Sequence, residues 1–364
     1  MALVAAAALL LASGLLTEVG VRSEARAGAP DGEALQLDGI GSIDLGAPSA
    51  HARLSYAPRL VWGWAPETNS PLLMNRAAAE GGFQLGGGSE LTVVERLSYG
   101  QEDFSAMSAL ATGGVGAFGR VQLAAPVRFA STDTAAGFSQ SIRQQGKISV
   151  GLSALISGGA DEESRINSPL QHAYSASAAG EWTLRQDRLG AGMRFTRNFI
   201  TNGPPSSSTN AGLRWERQAT PFLAVHANLG LTVIVGPHQR TFMPDAEAGL
   251  AFVPLRGSPG TRAAASARVA PFIDPTTGLT VSRIDLRGTL AIPLVAHLSF
   301  DASAEAARGV TSANPGQIYW LATASVGWTP QPWLLLSGGF RALRDTDQRW
   351  AAFVGLAVSR RDAL

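Results

Sequence analysis

His51-Ala52-Arg53-Leu54-Ser55-Tyr56-Ala57-Pro58-Arg59-Leu60-Val61-Trp62-Gly63-Trp64 reads as two interleaved sets. Ala52, Leu54, Tyr56, Pro58, Leu60, Trp62 and Trp64 share one parity; His51, Arg53, Ser55, Ala57, Arg59, Val61 and Gly63 share the other. Strand side chains alternate faces, so the stretch has one oily face and one polar or small face. At about fourteen residues it outruns the usual soluble strand of ~5–6 but suits a tilted membrane strand with its ends in the headgroups. Pro58 removes one ladder donor and predicts a weak point.

The same alternation recurs. Ile148, Val150, Leu152, Ala154 and Ile156 interleave with Ser149, Gly151 and Ser153; Leu223, Val225, Ala227, Leu229, Leu231 and Val233 interleave with Ala224, His226, Asn228, Gly230 and Thr232. Leu298, Phe300, Ala302, Ala304 and Ala306 likewise face away from His297, Ser299, Asp301, Ser303 and Glu305. Helical spacing fits none of them. The segments predict strands near 51–64, 74–86, 89–100, 128–142, 147–157, 171–184, 188–199, 208–218, 222–235, 244–256, 261–274, 279–291, 295–307, 317–328, 333–343 and 349–359. Glu95 falls on the oily parity of the third. Short turns (86–89, 143–146, 185–187, 219–221, 257–260, 329–332) alternate with longer polar loops (66–73, 158–170, 201–207, 236–243, 308–316). This predicts an all-β fold: a transmembrane antiparallel up-and-down β-barrel of about 16 strands, with short periplasmic turns and longer extracellular loops.

Composition agrees. Charged residues make up 16% of the 364, well below the roughly 25% of soluble domains, as expected where half of each strand faces lipid. Net charge is +1, which offers no nucleic-acid surface, and Lys147 is the single lysine beside many arginines. The absence of cysteine excludes disulfides, thiolate metal sites and cysteine nucleophiles. Ala2 to Leu16 followed by Ala25-Arg26-Ala27 reads as a secretory signal peptide over 1–27, although no basic residue precedes the apolar run and Thr17 to Glu24 is long and charged. No later run reaches ~20 apolar residues, so a secreted chain of this kind crosses a membrane only as a closed barrel. The expected organisation is then a periplasmic segment or plug over 28–49, the barrel over 50–359 and a tail over 360–364.

Aromatic placement supplies a further expectation. Trp182, Trp215 and Trp328 mark one membrane interface and Trp62, Trp64, Trp320 and Trp350 the other, because amphipathic rings favour the headgroup level. The inward parity carries Arg53, Arg59, Arg76, Arg194, Arg214, Arg262, Arg268, Arg283 and Arg287 against Glu80, Glu216, Asp245, Glu247, Asp285, Asp301 and Glu305. About sixteen strands leave an aqueous lumen, and such a mixed-sign lining suits neutral hydroxylated solutes as well as ions. The plainer reading, cross-strand pairing that stiffens the wall, applies to most of these residues. The Gly- and Ala-rich connection over 101–127, with Phe104, Met107, Leu110 and Phe118, is expected to fold inward and narrow the pore, or else to cap it.

Other motifs carry less. Gly114 to Gly119 matches G-x-G-x-x-G without the strand and helix that a dinucleotide site requires. His297 and Asp301 share an inward face about 13 Å apart, too far for a relay. Asp161-Glu162-Glu163 could hold calcium or bridge lipopolysaccharide; a solvated loop is the plainer reading. No catalytic residue, metal site or cofactor is implied.

Leu54-Ser55-Tyr56-Ala57-Pro58, Leu97-Ser98-Tyr99-Gly100-Gln101-Glu102, Ser168-Pro169-Leu170-Gln171-His172 and Ile273-Asp274-Pro275-Thr276-Thr277-Gly278 resemble segments of myxobacterial-type outer-membrane barrels. The resemblance implies a porin-like channel in the bacterial outer membrane, with export of a polysaccharide alongside a periplasmic export protein as its specific form. The barrel-assembly machinery, outer-membrane lipid and lipopolysaccharide are the other implied partners, although the chain ends Arg360-Arg361-Asp362-Ala363-Leu364 rather than on an aromatic residue. A structural or adhesive barrel with a plugged lumen and a barrel hydrolase are the alternatives.

Overall fold

The computed structural model describes residues 14–29, 32–47, 49–63, 71–102, 127–143, 145–201, 203–236, 240–252, 260–273, 280–309, 316–344 and 348–363. Trp64, the connection 103–126 with its glycine motif, and the apolar run before Gly14 lie outside them. The strands are β1 (Gly14–Ala29), β2 (Gly32–Ala47), β3 (Ala50–Tyr56 and Arg59–Trp62), β4 (Leu72–Gly86), β5 (Ser89–Glu102), β6 (Val127–Ile142), β7 (Gly146–Gly159), β8 (Gln171–Leu184) and β9 (Asp187–Ile200). They continue as β10 (Gly203–Thr220), β11 (Leu223–Val235), β12 (Arg240–Phe252), β13 (Arg262–Ile273), β14 (Thr280–Val295), β15 (Leu298–Arg308), β16 (Ile318–Gln331), β17 (Leu334–Arg344) and β18 (Gln348–Ala363). A short helix, α1 (Glu162–Asn167), sits between β7 and β8.

Every strand pairs antiparallel with its sequence neighbours, and β1 pairs with β18 from Leu16↔Ala363 to Ala29↔Trp350, which closes an 18-stranded barrel. Closure is what a hydrocarbon environment demands, since no edge N–H or C=O is left without a partner. The break in β3 falls at Ala57–Pro58, where proline's missing donor is expected to tell. Both halves still lie between β2 and β4, and Ala57 N–H donates to Arg76 O while Gly39 N–H donates to Pro58 O, each at 2.8 Å.

The strand count corrects the expectation of about sixteen, and the reason is local. Residues read as signal peptide and periplasmic lead-in form β1 and β2, so the stretch 14–47 is barrel wall. The charges of Thr17 to Glu24 are one face of a strand: Glu18, Arg22 and Glu24 face inward, while Val19 and Val21 are exposed on the outside. Two smaller corrections follow. The expected loop over 201–207 is a tight link, because β10 begins at Gly203. His297 is not on a strand face but in the β14–β15 turn at φ +70°.

Short turns gather at one end of the barrel. Gly87 and Gly88 at φ +60° and +80° make the left-handed hairpin turn that only glycine adopts freely. The first and last strands also start and finish at this turn end. The outer wall bears exposed apolar side chains along whole strands, Leu229 being 68% and Val354 69% exposed. No helix among the described residues is long and apolar enough to cross a membrane. Glu95 holds its outward position, opposite Ala79 and Thr134 in an unbroken register, and nothing in the structure explains a carboxylate there.

Most of the buried apolar side chains lie inside the barrel at the opposite, loop end, while Leu45 and Ala52 pack together near the turn end on the other face of the sheet. Val61, Leu72, Met74, Val127, Phe129, Tyr319, Leu321, Leu343 and Phe353 all have inward parity and are buried. Beside them Arg341 reaches across β18 to Glu24, with Nη1–Oε1 at 2.5 Å and Nη2–Oε2 at 2.8 Å, and stacks 4.2 Å from the Phe353 ring centroid.

Two stability predictions follow from these faces. Leu229→Arg, in the middle of the outer face of β11, costs about 2–4 kcal/mol in urea unfolding from lipid vesicles, whereas inward Ser153→Arg shifts the midpoint little. Glu24→Ala strands the buried Arg341 and costs roughly 3 kcal/mol, and pairing Glu24→Leu with Arg341→Met restores most of the loss.

Candidate solute path

The sixteen inward residues expected from the sequence all fall on strands, and the structure shows which of them meet. Arg53 approaches Asp44 at 3.4 Å and Glu18 at 3.9 Å, and Arg59 binds Asp38 at 2.7 Å. Glu80 pairs with Arg96 at 3.2 Å, which also reaches Asp133 at 3.3 Å. Arg214 lies 3.4 Å from Glu216, Arg268 3.5 Å from Asp245, and Arg287 3.8 Å from Glu305. Arg283 pairs with Asp285, and Ser299 Oγ donates to Asp301 at 3.2 Å. Arg76 and Arg262 lie on β4 and β13 at inward positions. Sequence reading missed Glu18, Arg22, Glu24, Asp38 and Asp44 because they belong to the two unrecognised strands; the alternation of Val19 and Val21 with Glu18, Arg22 and Glu24 was the available signal.

The pairs of Arg53, Arg96, Arg214, Arg268 and Arg287 have half-exposed guanidinium groups, so each is worth little to stability, whereas Arg59–Asp38 and Arg283–Asp285 are largely buried. Burial changes along the axis. Inward side chains near the loop end are buried, whereas Arg188, Arg214, Arg268 and Arg287 are each about half exposed, at 53%, 53%, 49% and 51%.

A recess of about 420 Å³ opens in the inner wall of β8–β13. Ala179, Gly192, Gly212 and Gly230 stand opposite one another on successive strands and form its floor. Arg194 and Asn210 flank one side of this row; Arg214, Asn228 and Glu247 flank the other. Asn210 Nδ2 donates to Asp245 at 2.9 Å, and Asn228 Nδ2 donates to Glu247 at 3.3 Å, which His226 Nε2 also approaches at 3.5 Å. A larger concavity of about 830 Å³ lies on the outer wall, lined by Ala248, Ala265, Ala267, Ala304 and Ala306 between Trp215 and Trp320. It faces lipid and is no solute site.

The aromatic residues lie near strand ends. Trp182, Trp215 and Trp328 lie toward the turn end; Trp62, Trp320 and Trp350 lie toward the loop end. Trp215 Nε1 donates to Asp187 at 2.9 Å, and Trp350 stacks on Phe340 at 6.0 Å. Asp161 caps α1: Ser164 N–H donates to its Oδ1 at 2.8 Å, and hydrogen bonding from the Ser164 side chain and then its backbone holds the carboxyl below its ordinary range. With His297 in a turn, it does not share the inward face of β15 with Asp301.

A closed β-barrel with an apolar exterior and a charged interior defines a membrane-spanning barrel of the outer-membrane type. Solved structures similar to it are also outer-membrane barrels. OpdK, an outer-membrane protein of Pseudomonas aeruginosa, superposes with a TM-score of 0.55 at 12% identity over 96% of this chain and 99% of its own. OccK2 (OpdF) from the same organism, in complex with glucuronate, gives 0.55 at 12% over 96% and 98%; OccK9 (OpdG) gives 0.54 at 11% over 96% and 98%. The sequence matches no family model and no curated protein. The likeness is one of fold, and with the exposed apolar wall it places the chain in a bacterial outer membrane.

The Asp161 cap titrates in a defined direction. Its lowered pKa stabilises α1 above the ordinary carboxylate range, and this is lost as pH falls through the lowered value. Asp161→Ala is expected to speed amide exchange over Glu162–Arg165 at neutral pH without changing the barrel's melting.

Proposed function

We propose that the protein is a passive outer-membrane channel for small water-soluble solutes. The observation that carries this reading is the inner wall: a closed sheet wide enough to hold water, whose inward Arg and Asp/Glu pair along the wall and stay exposed to the lumen. Short turns and both described ends of the sheet then face the periplasm. OpdK and OccK2, which share the fold, have been seen with vanillate and with glucuronate, so ring-sized, oxygen-bearing solutes are a sensible first class. Because the charges balance, the preference for anions over cations is slight.

Polysaccharide export with a periplasmic partner gains no support from these neighbours. A barrel with a closed lumen is the second reading, favoured by the burial of inward Leu72, Met74, Val127, Phe129 and Leu343 at the loop end.

Planar-bilayer recording of the refolded protein separates the two. Discrete conductance steps with anion and cation permeabilities within about threefold are expected. Folded protein that inserts but passes no current would sink the channel reading.

A further inference from the structure

Resting on the channel reading, we infer that the glycine-floored recess of β8–β13 is a solute-binding subsite for a neutral, polyhydroxylated ring compound such as a short saccharide.

The first argument is shape. Across β9, β10 and β11 the inner wall loses its side chains at Gly190, Gly192, Gly212 and Gly230. With strands ~4.8 Å apart, the row from Ala179 to Gly230 spans roughly 14 Å, the length of two or three linked sugar rings. Backbone packing does not require all of these glycines. A Cβ on Gly190 would have as its nearest neighbours Gly180 O at 3.5 Å, Arg214 Cβ at 3.6 Å and Glu181 Cγ at 3.7 Å, ordinary contact distances. Gly230 differs, since its Cβ would come within 2.8 Å of Ala211 O. At Gly190, then, the missing side chain serves the recess rather than the sheet.

The second argument is charge. The charged residues around the floor are Arg194, Arg214 and Arg268 against Glu181, Asp245 and Glu247, three of each sign. Such a ring gives no net attraction for an ion. It does offer guanidinium donors, carboxylate acceptors and two amides within one small volume. A hydroxyl both donates and accepts, so a polyol satisfies donors and acceptors together, whereas a carboxylate can only accept.

The third argument is unspent bonding capacity. Asn228, which lines the recess, has its Oδ1 buried with no hydrogen-bond partner in the structure, an arrangement that costs free energy unless a donor is supplied. Arg194 and Glu181 form no side-chain hydrogen bond or ion pair among the described residues. A ligand hydroxyl in the recess meets Arg194 and Glu181 directly, and pairs with Asn228 Oδ1 only after a turn of that amide.

The test records current through single channels while maltotriose or glucuronate is added, and in parallel measures calorimetric binding to the detergent-solubilised barrel. Maltotriose is expected to block the current reversibly and to bind. Gly190→Val fills the recess where there is room, and should weaken block and binding at least tenfold while leaving the open conductance within about a third of its value. Asp245→Asn, which keeps shape but removes one acceptor charge, should weaken maltotriose binding severalfold and guards against a misfolded valine variant. Wild-type current with equal block in both variants, or no block and no binding, overturns the subsite and leaves the channel standing. Tighter binding of glucuronate than of maltotriose overturns the neutral class. If the folded barrel passes no current, the channel reading fails, and the calorimetry still decides the recess: binding lost in Gly190→Val supports it, and absence of binding overturns it.

Discussion

The backbone has no water to bond with inside a lipid layer, and the rest of this structure depends on that constraint. Each N–H and C=O in the spanning region must find a partner within the protein, which only a sheet closed on itself can provide without edges. The pairing of β1 with β18 over fourteen register positions supplies the closure. Once the sheet is closed, the period of two along each strand dictates the remainder: one set of residues meets lipid and the other meets the lumen. Leu, Val, Phe and Ala fill the first set, and Arg, Asp, Glu, Asn, Ser and Gly the second.

Closure also explains why the interruption at Pro58 is tolerated. A missing donor in the middle of a soluble sheet removes one bond of many. In lipid it strands an acceptor as well. Here the strand skips Ala57 and Pro58 as ladder residues, yet Pro58 O and Ala57 N–H each keep a backbone partner on the adjacent strands, so little is left unsatisfied. The proline is accommodated by moving the defect into a local bend, with β2 and β4 running past it unbroken.

Most of the wall was legible from sequence because inward and outward residues differ strongly in polarity there. β7, β11 and β18 alternate plainly, and their lengths matched a tilted span. The wall was illegible at 14–47 for a physical reason. An apolar run next to a charged stretch and a small-residue motif has the composition of a targeting peptide, and that composition masks the alternation within it. Thr17, Val19 and Val21 against Glu18, Arg22 and Glu24 had the same grammar as the strands that were recognised. Parity assigns the charged residues of each strand to one face, but it cannot say which neighbours meet. That depends on register, which is set by turn lengths and by bulges such as those between Asn198 and Ile200 and between Gln218 and Thr220. The recess was out of reach for the same reason, since Gly192, Gly212 and Gly230 become a single row only once two registers are known.

Two demands on the inner wall conflict, and their resolution differs along the barrel. A water-filled lumen needs charge, but unpaired charge on a long side chain is mobile and leaves the bore ill-defined. Over β2–β6 the conflict is settled by pairing, as with Arg59–Asp38 and Arg96 held between Glu80 and Asp133. Over β8–β11 it is left partly open: Arg194 and Glu181 lack such partners, Asn228 Oδ1 is orphaned, and glycine replaces the side chains that would have covered the backbone. A wall optimised only for rigidity would place a β-branched or polar residue at Gly190, where a Cβ meets nothing closer than 3.5 Å. Glycine weakens a strand interior, so its presence at a position with room to spare, within a cluster of unfilled donors and acceptors, points to something that must fit against the wall rather than to the wall itself.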